Sequence, residues 1–95
     1  MGISRVKLRL LNERHLLASA SVSFDWGWVV HDIKLIEAGG RRFLAMPAKK
    51  LANGEYMDLV HPTSPDARRE LEGHVFAAYE EALAHRDQSN GEGRW

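Results

Sequence analysis

Residues 3–24 read ISRVKLRLLNERHLLASASVSF, and their alternation decides the fold class. From Ile3 to Leu11, Val6, Leu8 and Leu10 point one way while Arg5, Lys7 and Arg9 point the other. A period of two marks a strand with one apolar and one cationic face. Asn12-Glu13-Arg14 makes a short polar turn, and a second strand follows from about His15 to Phe24. Within it Leu16, Ala18, Ala20, Val22 and Phe24 alternate against Ser19, Ser21 and Ser23. Two such runs around a short turn predict an antiparallel hairpin.

After Phe24, Asp25-Trp26-Gly27 interrupts the pattern, and Trp28 to Glu37 is rich in β-branched residues. Val29, Ile33 and Ile36 also fit a helical stripe, but the β-branching and the closing Gly39-Gly40 favour a third strand. Arg42 to Pro47 reads as a fourth strand, its proline marking a terminus or an edge. Asn53-Gly54 predicts a tight turn, with Tyr56 to Val60 as a possible fifth strand. Thr63 or Ser64 then caps a helix, Pro65 suits its first turn, and Asp66 complements the positive end of its dipole. Leu71, Val75, Ala78, Tyr79, Ala82 and Leu83 form its apolar stripe to about Arg86. Gly73 inside that stripe costs about 1 kcal/mol relative to Ala, which predicts a close contact there. Asp87 to Trp95, rich in Gly, Ser, Asn and Gln, is expected to be disordered. The predicted class is α+β: an antiparallel sheet of four to five strands, then one C-terminal amphipathic helix, in a single domain over 1–86.

Composition narrows the function. Ninety-five residues make one domain, and 44 % hydrophobic with 27 % charged residues is the balance of a soluble globular chain. The absence of cysteine excludes disulfides and any cysteine-ligated metal, and it fits a reducing cytoplasm. No apolar run approaches the roughly 20 residues of a membrane-spanning helix. The first residues enter alternating charge without a signal-peptide core, so a cytoplasmic location with no membrane partner is expected. A chain of this size buries only about 60–65 % of its unfolded surface, so pairing with a second copy would add stability.

The formal charge of zero is a cancellation. Residues 1–54 carry nine basic and four acidic side chains, whereas residues 55–95 carry four basic and nine acidic. Such a split points to a polyanion surface on one side of the molecule. Arg41-Arg42 and Lys49-Lys50 bracket the apolar stretch Phe43-Leu44-Ala45-Met46-Pro47. Arg68-Arg69 lie in the first helical turns, where the dipole disfavours cations unless an anion is bound. The plainer alternative pairs Arg68 with Glu72 and leaves the lysines as solvated rim charges. Trp26 and Trp28, flanking Gly27, are candidates for stacking on bases, or for core or dimer-interface anchors together with Val30.

Other chemistries find little support. His31-Asp32 and Asp58 with His61 are metal-ligand types, but adjacent strand residues face opposite sides and cannot chelate one ion. The plainer reading has His31 or Asp32 satisfying backbone groups and His61 fixed by Pro62. The serines at 19, 21 and 23 lack a nucleophile elbow, and Gly39-Gly40 lacks the pattern of a phosphate loop. No cofactor, metal or enzymatic activity is expected.

Three segments carry a resemblance: VVHDIKLI over 29–36, FLAMPAKK over 43–50, and NGEYMDLVHP over 53–62. Together they resemble the SpoVG family, the stage V sporulation protein G or septation proteins of bacteria, over about residues 3–84. The resemblance implies a small cytoplasmic homodimer whose sheets join across the subunit interface. It also implies binding of DNA and RNA and a regulatory role in septation, sporulation or virulence-type gene expression; division proteins are a further candidate class of partner. The basic pair after the A-M-P motif maps onto Lys49 and Lys50, and the helix-start arginine onto Arg68 or Arg69. The full set expected to contact phosphate is Arg5, Lys7, Arg9, Arg41, Arg42, Lys49, Lys50, Arg68 and Arg69. Ala48 stands where the family pattern has Ser, and Asn53 where it has Asp. Glu70, Glu72, Glu80 and Glu81 make the helix acidic, which favours recognition through the sheet and its rim. The runner-up function is a protein-interaction module acting on the division machinery.

Overall fold

The computed structural model describes residues 2–11 and 13–85, so the tail expected to be disordered over 87–95 lies outside the described residues. Its sheet contains β1 (Ile3–Leu10), β2 (Leu16–Phe24), β3 (Val29–Ala38) and β4 (Arg41–Ala45). They pair antiparallel in chain order, a four-stranded meander. A separate two-stranded ribbon follows, β5 (Ala48–Lys50) with β6 (Tyr56–Asp58), and then one helix, α1 (Pro65–His85). This is the expected α+β class. The possible fifth strand does exist at Tyr56–Asp58, but it pairs with β5 in the ribbon and does not extend the main sheet.

Local chemistry explains the joints. Gly39 and Gly40, both at positive φ, connect β3 to β4 as a two-residue turn that closes on the Ala38–Arg41 pair. Gly54, at φ 91°, closes the ribbon, and the Asn53 side chain accepts a hydrogen bond from the Glu55 amide at 2.9 Å. Of the two candidate helix caps, Ser64 is the one that acts: its Oγ accepts from the Ala67 amide at 3.1 Å.

The register sorts side chains into two faces. Val6, Leu8 and Leu10 of β1, Ala18, Ala20 and Val22 of β2, Ile33 and Leu35 of β3 and Leu44 of β4 pack toward Leu71, Val75 and Tyr79 of α1. Ile33, Leu35, Val22 and Val75 are fully buried, and each contributes about 1.5–3 kcal/mol through the area it removes from water. Phe76 also packs against this core, although the helical stripe read from the sequence omits it. Gly73 departs from expectation. A methyl group built on it meets nothing within 4 Å, because it sits exposed on the solvent side of the helix.

β3 carries one residue more than β2 between the Ala20–Ile33 and Val22–Val30 pairs. His31 and Asp32 therefore stand opposite the single residue Ser21, in a bulge with Asp32 at φ 68°. Aspartate is among the few non-glycine residues that tolerate this left-handed conformation.

Candidate nucleic-acid interface

α1 covers one face of the sheet, and the described residues leave the other face open. Cross-strand pairing arranges that open face in rows. Arg5 pairs with Ser23 and Ser23 with Val29; Lys7 pairs with Ser21, which faces the bulge. Arg9 pairs with Ser19, Ser19 with Lys34, and Lys34 with Ala45. Ile36 pairs with Phe43 and Ala38 with Arg41, completing the face at its far edge. The result is a floor of short hydroxyl side chains on β2. The Arg5, Lys7 and Arg9 series borders it on one side and Lys34 on the other, while Leu16, Ile36 and Phe43 form the next row beyond Arg9, with Arg41 past it.

Two side-chain contacts organise this floor. The His31 Nδ1 lies 2.8 Å from the Ser21 Oγ, and the Lys34 ammonium lies 3.5 Å from the Asp32 carboxylate. His31 thus satisfies a neighbouring side chain in mid-strand, where the sequence reading gave it a backbone role. The bulge, not simple alternation, decides where this pair points. His61 instead donates from Nδ1 to the Pro62 carbonyl at 2.9 Å, fixed by the residue that follows it. Among the described residues no group of three or more His, Cys, Asp or Glu is placed to hold a metal ion.

The basic residues named from the sequence fall into four places. Arg5, Lys7, Arg9 and Arg41 belong to the open face and are exposed. Arg42 alternates to the opposite face, where it pairs with Glu80 at 2.6 Å and with Glu37 at 4.0 Å. Its guanidinium also lies over the Tyr79 ring, 5.1 Å from the centroid. The hydrogen bond to Glu80 raises the Arg42 pKa against the opposing effect of desolvation, so the side chain stays cationic throughout any working pH range. Lys49 and Lys50 project from the ribbon, paired with Met57 and Tyr56, apart from the main sheet. Arg68 and Arg69 stand exposed at the start of α1, with Arg69 paired to Asp66.

The aromatic candidates are also separated. Trp26 and Trp28 are 61 % and 64 % exposed at the β2–β3 turn. Trp26 lies against Phe24, with ring centroids 5.3 Å apart, and against Trp28 at 5.6 Å, so the two tryptophans form an exposed aromatic pair at the end of the sheet. Val30 packs inward against the core, and Val29 is the exposed member of that pair. Sequence reasoning missed Lys34, the serine floor and Phe43 as parts of one surface. Alternation over 5–10 and 18–24 contained the signal, but an irregularity in β2 turns Leu17 and not Leu16 to the core, and aligning the third strand required the bulge.

Charge is therefore segregated by layer. The open face holds Arg5, Lys7, Arg9, Lys34 and Arg41 against the Asp32 carboxylate, while Glu70, Glu72, Glu80 and Glu81 lie on the helix. Such a face is cationic and lined with hydroxyls, the side-chain types that contact a polyanion backbone. No helix among the described residues is long and apolar enough to cross a membrane.

Comparison with known proteins identifies the family. The SpoVG family model matches residues 1–81. A protein of Heliobacterium modesticaldum, named "Putative septation protein SpoVG", is 44 % identical over 85 residues, 88 % of this chain and 96 % of its own. Relatives of the same name from Finegoldia magna and Clostridium botulinum (strain Alaska E43) are 46 % and 39 % identical, over 85 % and 92 % of this chain and 76 % and 97 % of their own. On the family match and on identities of this size over nearly the whole chain, the protein belongs to the SpoVG family.

Proposed function

We propose that this chain is a dimeric, non-catalytic regulator that binds DNA or RNA in the cytoplasm and acts on septation or sporulation-type gene expression. The observation that carries the reading is the open cationic face of the sheet, in which Arg5, Lys7 and Arg9 stand in one row beside three serines. Phosphate neutralisation by such a row is sequence-independent and strongly salt-dependent. Arg41, Lys49, Lys50, Arg68 and Arg69, all exposed, are further candidate contacts. The process itself rests on the septation proteins that the chain resembles.

Pairing of two copies is supported by surface that a lone protomer leaves wet. Tyr56 is 72 % and Leu59 61 % exposed, on a ribbon with no core of its own. β4 has β3 as its sheet neighbour and forms an edge, open to sheet extension across a two-fold axis. The same apolar surface favours a second reading, a protein-interaction module of the division machinery.

Fluorescence anisotropy with labelled oligonucleotides across a salt series separates the two. Binding whose log K falls by roughly 0.7–0.9 per phosphate contact per decade of salt supports the first. No binding at micromolar protein and low salt leaves the interaction module.

A further inference from the structure

We propose that the open face takes a single-stranded polynucleotide in preference to a duplex, with Phe43 as its stacking residue. This inference rests on the nucleic-acid reading above and narrows it to one class of ligand.

Three features argue for a single strand. The first is shape. Reading a duplex requires a helix or ribbon that enters a groove. The open face instead has a floor of Ser19, Ser21 and Ser23, and the one long helix lies behind the sheet with its glutamates. The ribbon does protrude, but Lys49 and Lys50 share it with Glu55 and Asp58, so it carries no cationic excess.

The second is spacing. Arg5, Lys7 and Arg9 are alternate residues of a strand, so their Cα atoms step by about 7 Å along a straight line. A straight row follows the backbone of an extended single strand, whereas the phosphates of a duplex curve away from a flat surface. From β1 to β4 the sheet spans three strand spacings, about 14 Å, which leaves room for bases laid across β2 and β3.

The third is the apolar content of the far side. Phe43 is 40 % exposed beside its partner Ile36, and Val29 is 46 % exposed beside Ser23. Exposed ring surface on a polar face gains nothing from a duplex, whose bases are already stacked, but it gains a partner from an unstacked base. The serine hydroxyls and His31 lie beside the phosphate row, and a base that follows Arg9 meets the ring in the next row, Leu16–Ile36–Phe43.

The test is anisotropy at low salt with three labelled probes: oligo(U), oligo(dT), and a hairpin duplex of equal phosphate number. The proteins are the full chain, Phe43→Ala, Phe43→Leu and Ser21→Glu, each checked by thermal melting. Tenfold tighter binding of either single strand than of the hairpin is expected. Both Phe43 variants should lose about five- to fiftyfold on the single strands and keep their hairpin affinity. Phe43→Leu retains apolar cover over Ile36, so it separates stacking from packing if Phe43→Ala melts early. Ser21→Glu, which sets a carboxylate in the middle of the floor, should abolish single-strand binding. Equal affinity for hairpin and single strands, or a Phe43→Leu variant with full single-strand affinity, overturns the proposal while leaving nucleic-acid binding intact. Failure to bind any of the three probes removes the underlying reading as well.

Discussion

Arg42 and Glu80 meet at 2.6 Å across the interface between β4 and α1. They are 38 positions apart in the chain, and the same guanidinium covers the Tyr79 ring. Arg42 thus ties the edge strand to the helix, whereas its neighbour Arg41 belongs to the open face. Because the pair is partly solvated, its worth is modest, about 0.2–1 kcal/mol for the ion pair and a similar amount for the ring contact. Arg42→Ala is expected to lower stability by about 1 kcal/mol while changing oligonucleotide affinity less than Arg9→Ala does. Urea unfolding and anisotropy on the same samples check it. A larger affinity loss in Arg42→Ala than in Arg9→Ala would return Arg42 to the binding surface.

How much of this was legible beforehand follows from the range of each interaction. The alternation of Val6, Leu8 and Leu10 with Arg5, Lys7 and Arg9 is local, so the hairpin and its cationic face could be read directly. The Ser64 cap, Pro65 and Asp66 also act locally, and the helix start lay where they placed it. The partner of Arg42 could not be read, since it depends on how the helix crosses the sheet. Nor could the Ser21–His31 contact, because it exists only once β3 takes one extra residue against β2. Of the two ribbon strands, β6 was marked by the Asn53-Gly54 turn before it, whereas β5, three exposed residues that bury nothing, left no hydrophobic pattern to read.

Gly73 offers a stabilising change. Its Cβ position is open and it lies within the helix, so Gly73→Ala removes unfolded-state entropy without a clash. A gain of about 0.5–1 kcal/mol is expected in chemical unfolding. A loss would mean that the position makes a contact in the assembled protein.

Ala20 behaves in the opposite sense. It is 1 % exposed at the centre of the sheet, beneath the helix, where a larger side chain has no space. Ala20→Leu is expected to cost about 1–3 kcal/mol through overpacking. Thermal melting measures this, and an unchanged midpoint would show that the helix can move outward freely.

The cationic row and the ribbon lysines make separable contributions to salt dependence. Arg5→Ala combined with Arg9→Ala removes two members of one row, and should lower the salt slope by about one to two units for every sequence alike. Lys49→Ala combined with Lys50→Ala acts on a surface balanced by Glu55 and Asp58, and should lower it less. The reverse ranking would move the phosphate contacts from the sheet to the ribbon.

Tyr56 and Leu59 test the pairing of two copies. Both side chains are exposed in the protomer, so replacing them with serine removes no core contact and should leave unfolding of an isolated protomer nearly unchanged. If the ribbon lies within a dimer interface, burial of these apolar groups contributes about 25 cal/mol per Å² removed from water. The melting temperature of the parent chain should then rise with protein concentration, since association stabilises by mass action. Tyr56→Ser with Leu59→Ser should shift sedimentation equilibrium toward monomer and flatten that concentration dependence. A parent chain that sediments as a monomer at tens of micromolar excludes the homodimer outright. A double variant that remains as dimeric as the parent places the interface elsewhere, with the β4 edge and the Trp26–Trp28 pair as the next surfaces to alter.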